Sequence, residues 1–188
     1  MIAGVSARLI LLNGPPGIGK STLAQRFADE HPLTLALDLD VVRGMLGRWR
    51  DQPIEAGLRA RALTLAMARE HLGAGHDVVI PQYLGRPQFL AQAEQLAAEL
   101  AVPFREFVLM TGRDDAVRRF QQRTAAAATR AHVEAGELMT QFGGRPALEA
   151  MYDRLLLLLS HRPHAQVIQT RDGQPDAAYA ELRRLVDA

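Results

Sequence analysis

Residues Arg8 to Thr22 read RLILLNGPPGIGKST, and this stretch decides the fold. Leu9 to Leu12 is a short apolar run, which predicts a buried strand over Arg8–Asn13. From Lys20 to His31, Leu23, Ala24, Phe27 and Ala28 recur at helical spacing, which predicts a helix. Between them Gly14-Pro15-Pro16-Gly17-Ile18-Gly19-Lys20-Ser21 fits G-x-x-x-x-G-K-[ST], in the strand–loop–helix order that the pattern requires. Backbone N–H groups from Gly17 to Ser21 converge on one concavity at the positive end of a helix, a setting that favours polyphosphate. Gly14, Pro15, Pro16, Gly17, Ile18, Gly19, Lys20, Ser21 and Thr22 are therefore the candidate ATP-binding residues. Lys20 is expected to reach the β- and γ-phosphates, and Ser21 to ligate Mg²⁺ through its hydroxyl. Thr22 either contacts a phosphate oxygen or serves as a first-turn helix residue.

Lys20 is also the one lysine of a chain with 22 Lys+Arg. An ammonium is a compact point charge on a flexible stem, whereas guanidinium is a wide planar fork. The chain uses arginine elsewhere and keeps an ammonium where a phosphate loop needs one. The 188 residues suit a single domain spanning 1–188 with a full hydrophobic core. A net charge of +1 gives no global footprint for nucleic acid or acidic membrane. The absence of cysteine excludes disulfides and thiolate metal sites. The apolar runs at Leu9–Leu12 and Leu155–Leu159 are far too short to span a membrane. A soluble, cytoplasmic protein is expected.

Outward from the loop, strands and helices alternate. Strands are predicted over Leu33–Asp38, Asp77–Ile80, Phe104–Leu109 and Ala165–Thr170. Helices are predicted from near Asp40, then over Pro53–Gly73, Pro87–Ala101, Asp114–Arg123, Pro146–Ser160 and Asp176–Val186. Thr124–Gly144 combines an alanine run with Gly136, Gly143 and Gly144, which predicts a mobile helical lid over about 124–144. The pattern implies α/β architecture: a five-stranded parallel sheet covered by helices on both faces, a three-layer sandwich.

Asp38-Leu39-Asp40 follows the second strand. If the strand extends that far, residues two apart share a face and both carboxylates project from the carboxyl end of the sheet, where open α/β sheets bind ligands. One carboxylate can accept a proton from an attacking hydroxyl and the other can help hold a metal. Asp40 can also be read as the N-cap of the next helix. Asp40 lies twenty residues after Lys20 and begins Asp40-Val41-Val42-Arg43. In this spacing the chain resembles the small-molecule and polynucleotide kinases of the P-loop NTPase superfamily: chloramphenicol phosphotransferases, polynucleotide 5′-hydroxyl kinases and, further off, zeta-toxin-like kinases. The resemblance runs roughly from Arg8 to Arg123. It implies Asp40 as general base, Arg43 on the acceptor side, ATP as donor and Mg²⁺ as metal. A weaker similarity to shikimate kinase makes Asp38 a metal-shell candidate.

The same resemblance implies that paired arginines at the start of the lid clamp the transferring phosphate. Arg119 and Arg123 are four apart and share a helix face, whereas Arg118 lies about 100° away and is expected in solvent. Arg130 is a weaker lid candidate. After the third strand the chain departs from the family, with Gln82 where an acidic residue is expected. Gln82, Tyr83 and Arg86 are candidate substrate-binding residues, with a plain turn as the alternative. Trp49 offers either a flat stacking surface for the acceptor or a half-buried aromatic. The histidines show no metal-ligand spacing. The expected activity is transfer of the γ-phosphate of ATP to a hydroxyl of a small molecule such as an antibiotic, sugar or nucleoside. A nucleic-acid 5′ end, a nucleotide-dependent ATPase and a toxin-type kinase with a protein antitoxin are the alternatives.

Overall fold

The computed structural model describes residues 7–128 and 130–188. Strands β1 (Leu9–Asn13), β2 (Leu35–Ala36), β3 (Val78–Pro81), β4 (Phe104–Met110) and β5 (Gln166–Gln169) form one parallel sheet in the order β2-β3-β1-β4-β5. The helices are α1 (Lys20–Glu30), α2 (Leu39–Gly44), α3 (Pro53–Gly73), α4 (Pro87–Glu99), α5 (Arg113–Ala126), α6 (Arg130–Gln141), α7 (Gly144–Leu159) and α8 (Pro175–Val186). A single 3₁₀ turn, Trp49–Asp51, precedes α3. Every residue of β1 and β3 is buried. Side chains alternate between the faces of a strand, so both faces of the sheet are covered there, as the unbroken apolar runs predict. Among the described residues no helix is long and apolar enough to cross a membrane.

The chain forms two compact units. The first holds the chain to Leu12, Ser21–Gln82 and Pro87–Glu106. In it Leu9 to Leu12 pair in register with Val78 to Pro81, while β2 pairs with β3 only at Leu35 and Ala36. Arg8 locks the start of this pairing: its backbone N–H donates to Asp77 Oδ1 at 2.7 Å and its Nη2 to Oδ2 at 2.6 Å. Helix α3 buries Ala56, Ala60, Thr64, Ala68 and Leu72, a stripe at four-residue spacing whose small members let its backbone approach its neighbours.

The second unit holds Asn13–Lys20, Tyr83–Arg86 and the chain from Phe107. Phe107 to Met110 pair with Gln166 to Gln169. Val108, Met110, Ala116, Tyr152, Leu155 and Leu158 form one core cluster, and the Tyr152 hydroxyl donates to the Thr111 carbonyl at 2.7 Å. Val117, Phe120 and Leu148 form a second cluster, on which Ala135 and Met139 of α6 pack. The segment expected as a lid is thus largely the helix α6.

The second strand departs from the sequence expectation. It was predicted to run to Asp38 and stops at Ala36, although Leu37 still donates its N–H to the Val79 carbonyl. Asp38 caps α2 instead: its Oδ1 accepts from the Asp40 N–H at 2.8 Å. A capping carboxylate favours turning the chain into a helix over one more ladder bond. Asp38 and Asp40 therefore do not share a strand face, and the N-cap is Asp38, not Asp40. Helix α7 begins at Gly144, two residues ahead of the predicted Pro146.

Candidate functional site

In the second unit the loop after β1 is shaped by two close approaches. A Cβ on Gly14 would lie 2.6 Å from the Leu109 carbonyl oxygen, and one on Gly17 would lie 2.9 Å from Phe120 Cα. Both residues hold positive φ, +147° and +83°, a conformation open to glycine. Lys20 Nζ donates to the carbonyls of Gly14 at 2.9 Å and Pro15 at 3.0 Å, so the ammonium is folded over its own loop.

Asn13 was not singled out in the sequence, yet it anchors the loop. It is completely buried. Its Oδ1 accepts from the Gly14 and Leu84 N–H groups, both at 2.8 Å, and its Nδ2 donates to the Leu84 carbonyl at 3.0 Å. An amide is the side chain that can give and accept at once on one peptide edge. A polar residue closing an apolar strand directly before the loop glycine is the signal that marks it in the sequence.

The arginines of α5 separate as their spacing predicts. Arg118 is exposed and pairs with Asp115 at 2.5 Å. Arg119 and Arg123 are half-buried. The Arg119 guanidinium is committed to the end of β5, donating to Thr170 Oγ1 at 3.1 Å and the Thr170 carbonyl at 3.4 Å. Arg123 lies with Cζ 5.8 Å from the Phe120 ring centroid. Burial, with a contribution from the Arg123 charge, lowers the pKa of His132 on α6. The side chain of Arg130 lies outside the described residues. Tyr83 donates its hydroxyl to the Met151 carbonyl at 2.9 Å. Burial pushes its phenol up, opposed by a hydrogen bond with Arg154 and by the charges of Arg154 and Arg86. The phenol thus stays protonated and pins its loop to α7, while Arg86 is exposed.

In the first unit the Ser21 hydroxyl donates to Asp38 Oδ2 at 2.7 Å, and the other oxygen of the same carboxylate caps α2. One carboxylate therefore ties the first turn of α1 to the first turn of α2, which carries Asp40. The Ser21 hydroxyl gives its proton to Asp38, so its lone pairs are available to a cation. Among the described residues no group of three or more His, Asp or Glu side chains gathers to hold a metal. A hydroxyl oxygen whose proton is committed to a carboxylate suits a hard ion with oxygen ligands, such as Mg²⁺. The Asp40 side chain is 62% exposed and pairs with Arg43, Oδ1 to Nη1, at 3.1 Å. Trp49 is only 9% exposed and carries Arg43 on its ring, so it is a buried aromatic and not an open stacking surface. Gln82 is half-buried, and its N–H continues the ladder to the Leu12 carbonyl at 3.0 Å.

A family model described as an AAA domain, AAA_33, matches residues 9–146, which include the loop, the Asp38–Arg43 segment and the α5 arginines. The chain belongs to the AAA_33 family. Curated relatives match shorter stretches of the chain. A Mycobacterium tuberculosis protein called uncharacterized is 35% identical over 113 residues, 54% of this chain and 23% of its own length. An adenylate kinase of Synechococcus is 36% identical over 121 residues, 59% of this chain and 65% of its own length. The chain thus spans less than two thirds of these relatives, and about a quarter of the mycobacterial one. A gluconokinase of Sinorhizobium meliloti superposes with a TM-score of 0.57 at 16% identity, covering 98% of this chain and 95% of that one. The AAA_33 chain therefore has a P-loop kinase-like fold.

Proposed function

We propose that this chain is an ATP-dependent phosphotransferase that moves the γ-phosphate to a hydroxyl of a small molecule. The observation that carries this reading is the Asp38 carboxylate, which accepts from both the Ser21 hydroxyl and the Asp40 N–H. Ser21 follows Lys20 directly, so this carboxylate links the end of the phosphate loop to the helix that carries Asp40. Gly14 to Thr22 hold the donor's phosphates, and Lys20 neutralises charge at the β/γ bridge. Ser21 would hold Mg²⁺, with Asp38 behind it; the ion supplies charge neutralisation and orientation of the phosphates. Asp40 takes the proton of the acceptor hydroxyl as it attacks. Arg43 holds the Asp40 carboxylate, and Gln82, Tyr83 and Arg86 line the acceptor side. Arg119 and Arg123 are assigned to neutralising charge on the transferring phosphate and the segment 124–144 to the lid, in a protein acting as a single domain in the cytoplasm.

An acceptor phosphate, as the adenylate kinase relatives' name implies, is the second reading. Asp40 favours the first, because transfer to a phosphate oxygen needs no base and a phosphate acceptor would meet the exposed Asp40 carboxylate. The net charge of +1 favours a small acceptor over a long nucleic acid, which needs sustained cationic contacts. Labelled ATP offered with polyols, nucleosides, antibiotics, nucleoside monophosphates and 5′-hydroxyl oligonucleotides identifies the acceptor. Asp40→Asn is expected to lower kcat by about a hundredfold or more with ATP affinity nearly unchanged, since a general base acts in the transition state. Wild-type turnover in that variant overturns the assignment.

A further inference from the structure

Arg43 makes two contacts with different parts of its guanidinium. Nη1 lies 3.1 Å from Asp40 Oδ1, and Cζ lies 4.6 Å from the centroid of the Trp49 ring. Its Nε is buried and has no hydrogen-bond partner among the described residues, as suits a group held by its face. The ring also has a second cation, Arg50, with Cζ 5.4 Å from the centroid. The backbone that places the indole is unusual: Arg48 holds a left-handed conformation at φ 53°, and its side chain pairs with Asp51 at 2.7 Å across the 3₁₀ turn.

We propose that Trp49 is a positioning residue for phosphoryl transfer: its indole holds Arg43, and Arg43 holds the Asp40 carboxylate for proton transfer. The inference rests on reading Asp40 as the base. The order of dependence follows from exposure. Asp40 is 62% exposed, and an ion pair at such a site holds a long side chain weakly. The Trp49 ring is buried, and a cation stacked on a desolvated indole is held more strongly. A guanidinium on a ring can slide, but its edge stays available for a carboxylate. Trp49 thus fixes Arg43, and Arg43 fixes Asp40.

The test compares Trp49→Phe, which keeps an aromatic face, with Trp49→Leu, which keeps apolar volume alone. Each is made in the wild-type and Asp40→Asn backgrounds. Two readouts are used: Mg-ATP turnover with water as acceptor, and the proton NMR shifts of the Arg43 side chain. Stacking on the ring moves the Arg43 signals upfield in wild type and in Trp49→Phe, but not in Trp49→Leu. Trp49→Leu is expected to lose about tenfold in kcat with KM for ATP unchanged, and Trp49→Phe to stay within about twofold of wild type. In the Asp40→Asn background Trp49→Leu should add no further loss. Equal losses in Phe and Leu variants, a loss that persists without Asp40, or unshifted Arg43 signals in the wild type overturn the proposal. Full turnover in Asp40→Asn alone, with Arg43 signals still upfield, overturns the base reading and leaves the Arg43–Trp49 placement standing.

Discussion

Asn13→Ala should be among the most damaging single changes outside the apolar core. The substitution removes three hydrogen bonds in a site with no solvent exposure, leaving two N–H groups and one carbonyl without their partner. At about 1 to 1.5 kcal/mol for each bond, the loss is about 3 to 4.5 kcal/mol. That is a large fraction of the roughly 5–15 kcal/mol stability of a typical domain. For a chain of this length it lowers Tm by about 10 °C. Asn13→Asp sharpens the test, because a protonated Asp can do what the amide does. Its hydroxyl donates to the Leu84 carbonyl while its other oxygen accepts both N–H groups. Ionised, it would set a negative oxygen against that carbonyl. The folded state therefore raises the carboxyl pKa. Its stabilising contribution is complete below the unfolded value of about 3.9 and is lost as pH rises through the folded pKa. Thermal melts of wild type, Asn13→Ala and Asn13→Asp over pH 4 to 8 measure this. The Asp variant should approach wild type at the acid end and the Ala variant at the neutral end. A Tm within 2 °C of wild type for Asn13→Ala, or a flat pH profile of the difference between Asn13→Asp and wild type, refutes the account (on the scale of about 2–4 °C per kcal/mol).

Gly17→Ala places a Cβ 2.9 Å from Phe120 Cα at φ +83°. The left-handed backbone alone costs about 1–2 kcal/mol, so both Tm and nucleotide affinity should fall; wild-type values for both would show that the loop adapts freely. Asp38→Asn keeps the cap on α2 but weakens the acceptor of the Ser21 proton, so the Mg²⁺ titration of turnover should move to higher concentration. An unchanged midpoint would remove Asp38 from the metal shell. His132 is held below its ordinary pKa of 6.5 by burial and then by Arg123. The unfolded chain then binds more protons, so stability is full above pH 6.5 and falls as acidification passes through the folded pKa. Melts of wild type and His132→Gln between pH 5 and 7.5 should show a decline in wild type that the variant lacks; parallel profiles would exclude the histidine as the source.

The sheet was legible because buried strands are written as apolar runs and the loop after β1 has a near-unique pattern. Four of the predicted strands lie within a residue of their observed bounds, and Pro53–Gly73 is a helix over the stated range. The second strand was overextended because Leu33–Asp38 alternates well enough for a strand, while what ends it is the side chain of Asp38 bonding two residues ahead. Periodicity does not register such a local bond. The loop after β1 was legible where backbone and spacing shape it, as in the positive φ of Gly14 and Gly17. The candidate site was less legible where long-range partners decide. Nothing in the sequence near Arg119 names Thr170, fifty-one residues away, and nothing near Trp49 says that Arg43 covers it. Asn13 is marked locally, as the polar residue between an apolar run and Gly14, but its partner Leu84 lies in another loop and is not.

The bonds from Lys20 to the Gly14 and Pro15 carbonyls have a consequence for proteolysis. A lysine-specific endoprotease finds one susceptible peptide bond in the whole sequence, Lys20–Ser21. That bond lies in the first turn of α1, with the lysine side chain turned back on the loop. A protease needs the side chain extended and the backbone out of its helix, so the cut requires the loop to come apart. When reclosing is faster than cleavage, the rate at which the single nick appears follows the equilibrium for opening that one segment.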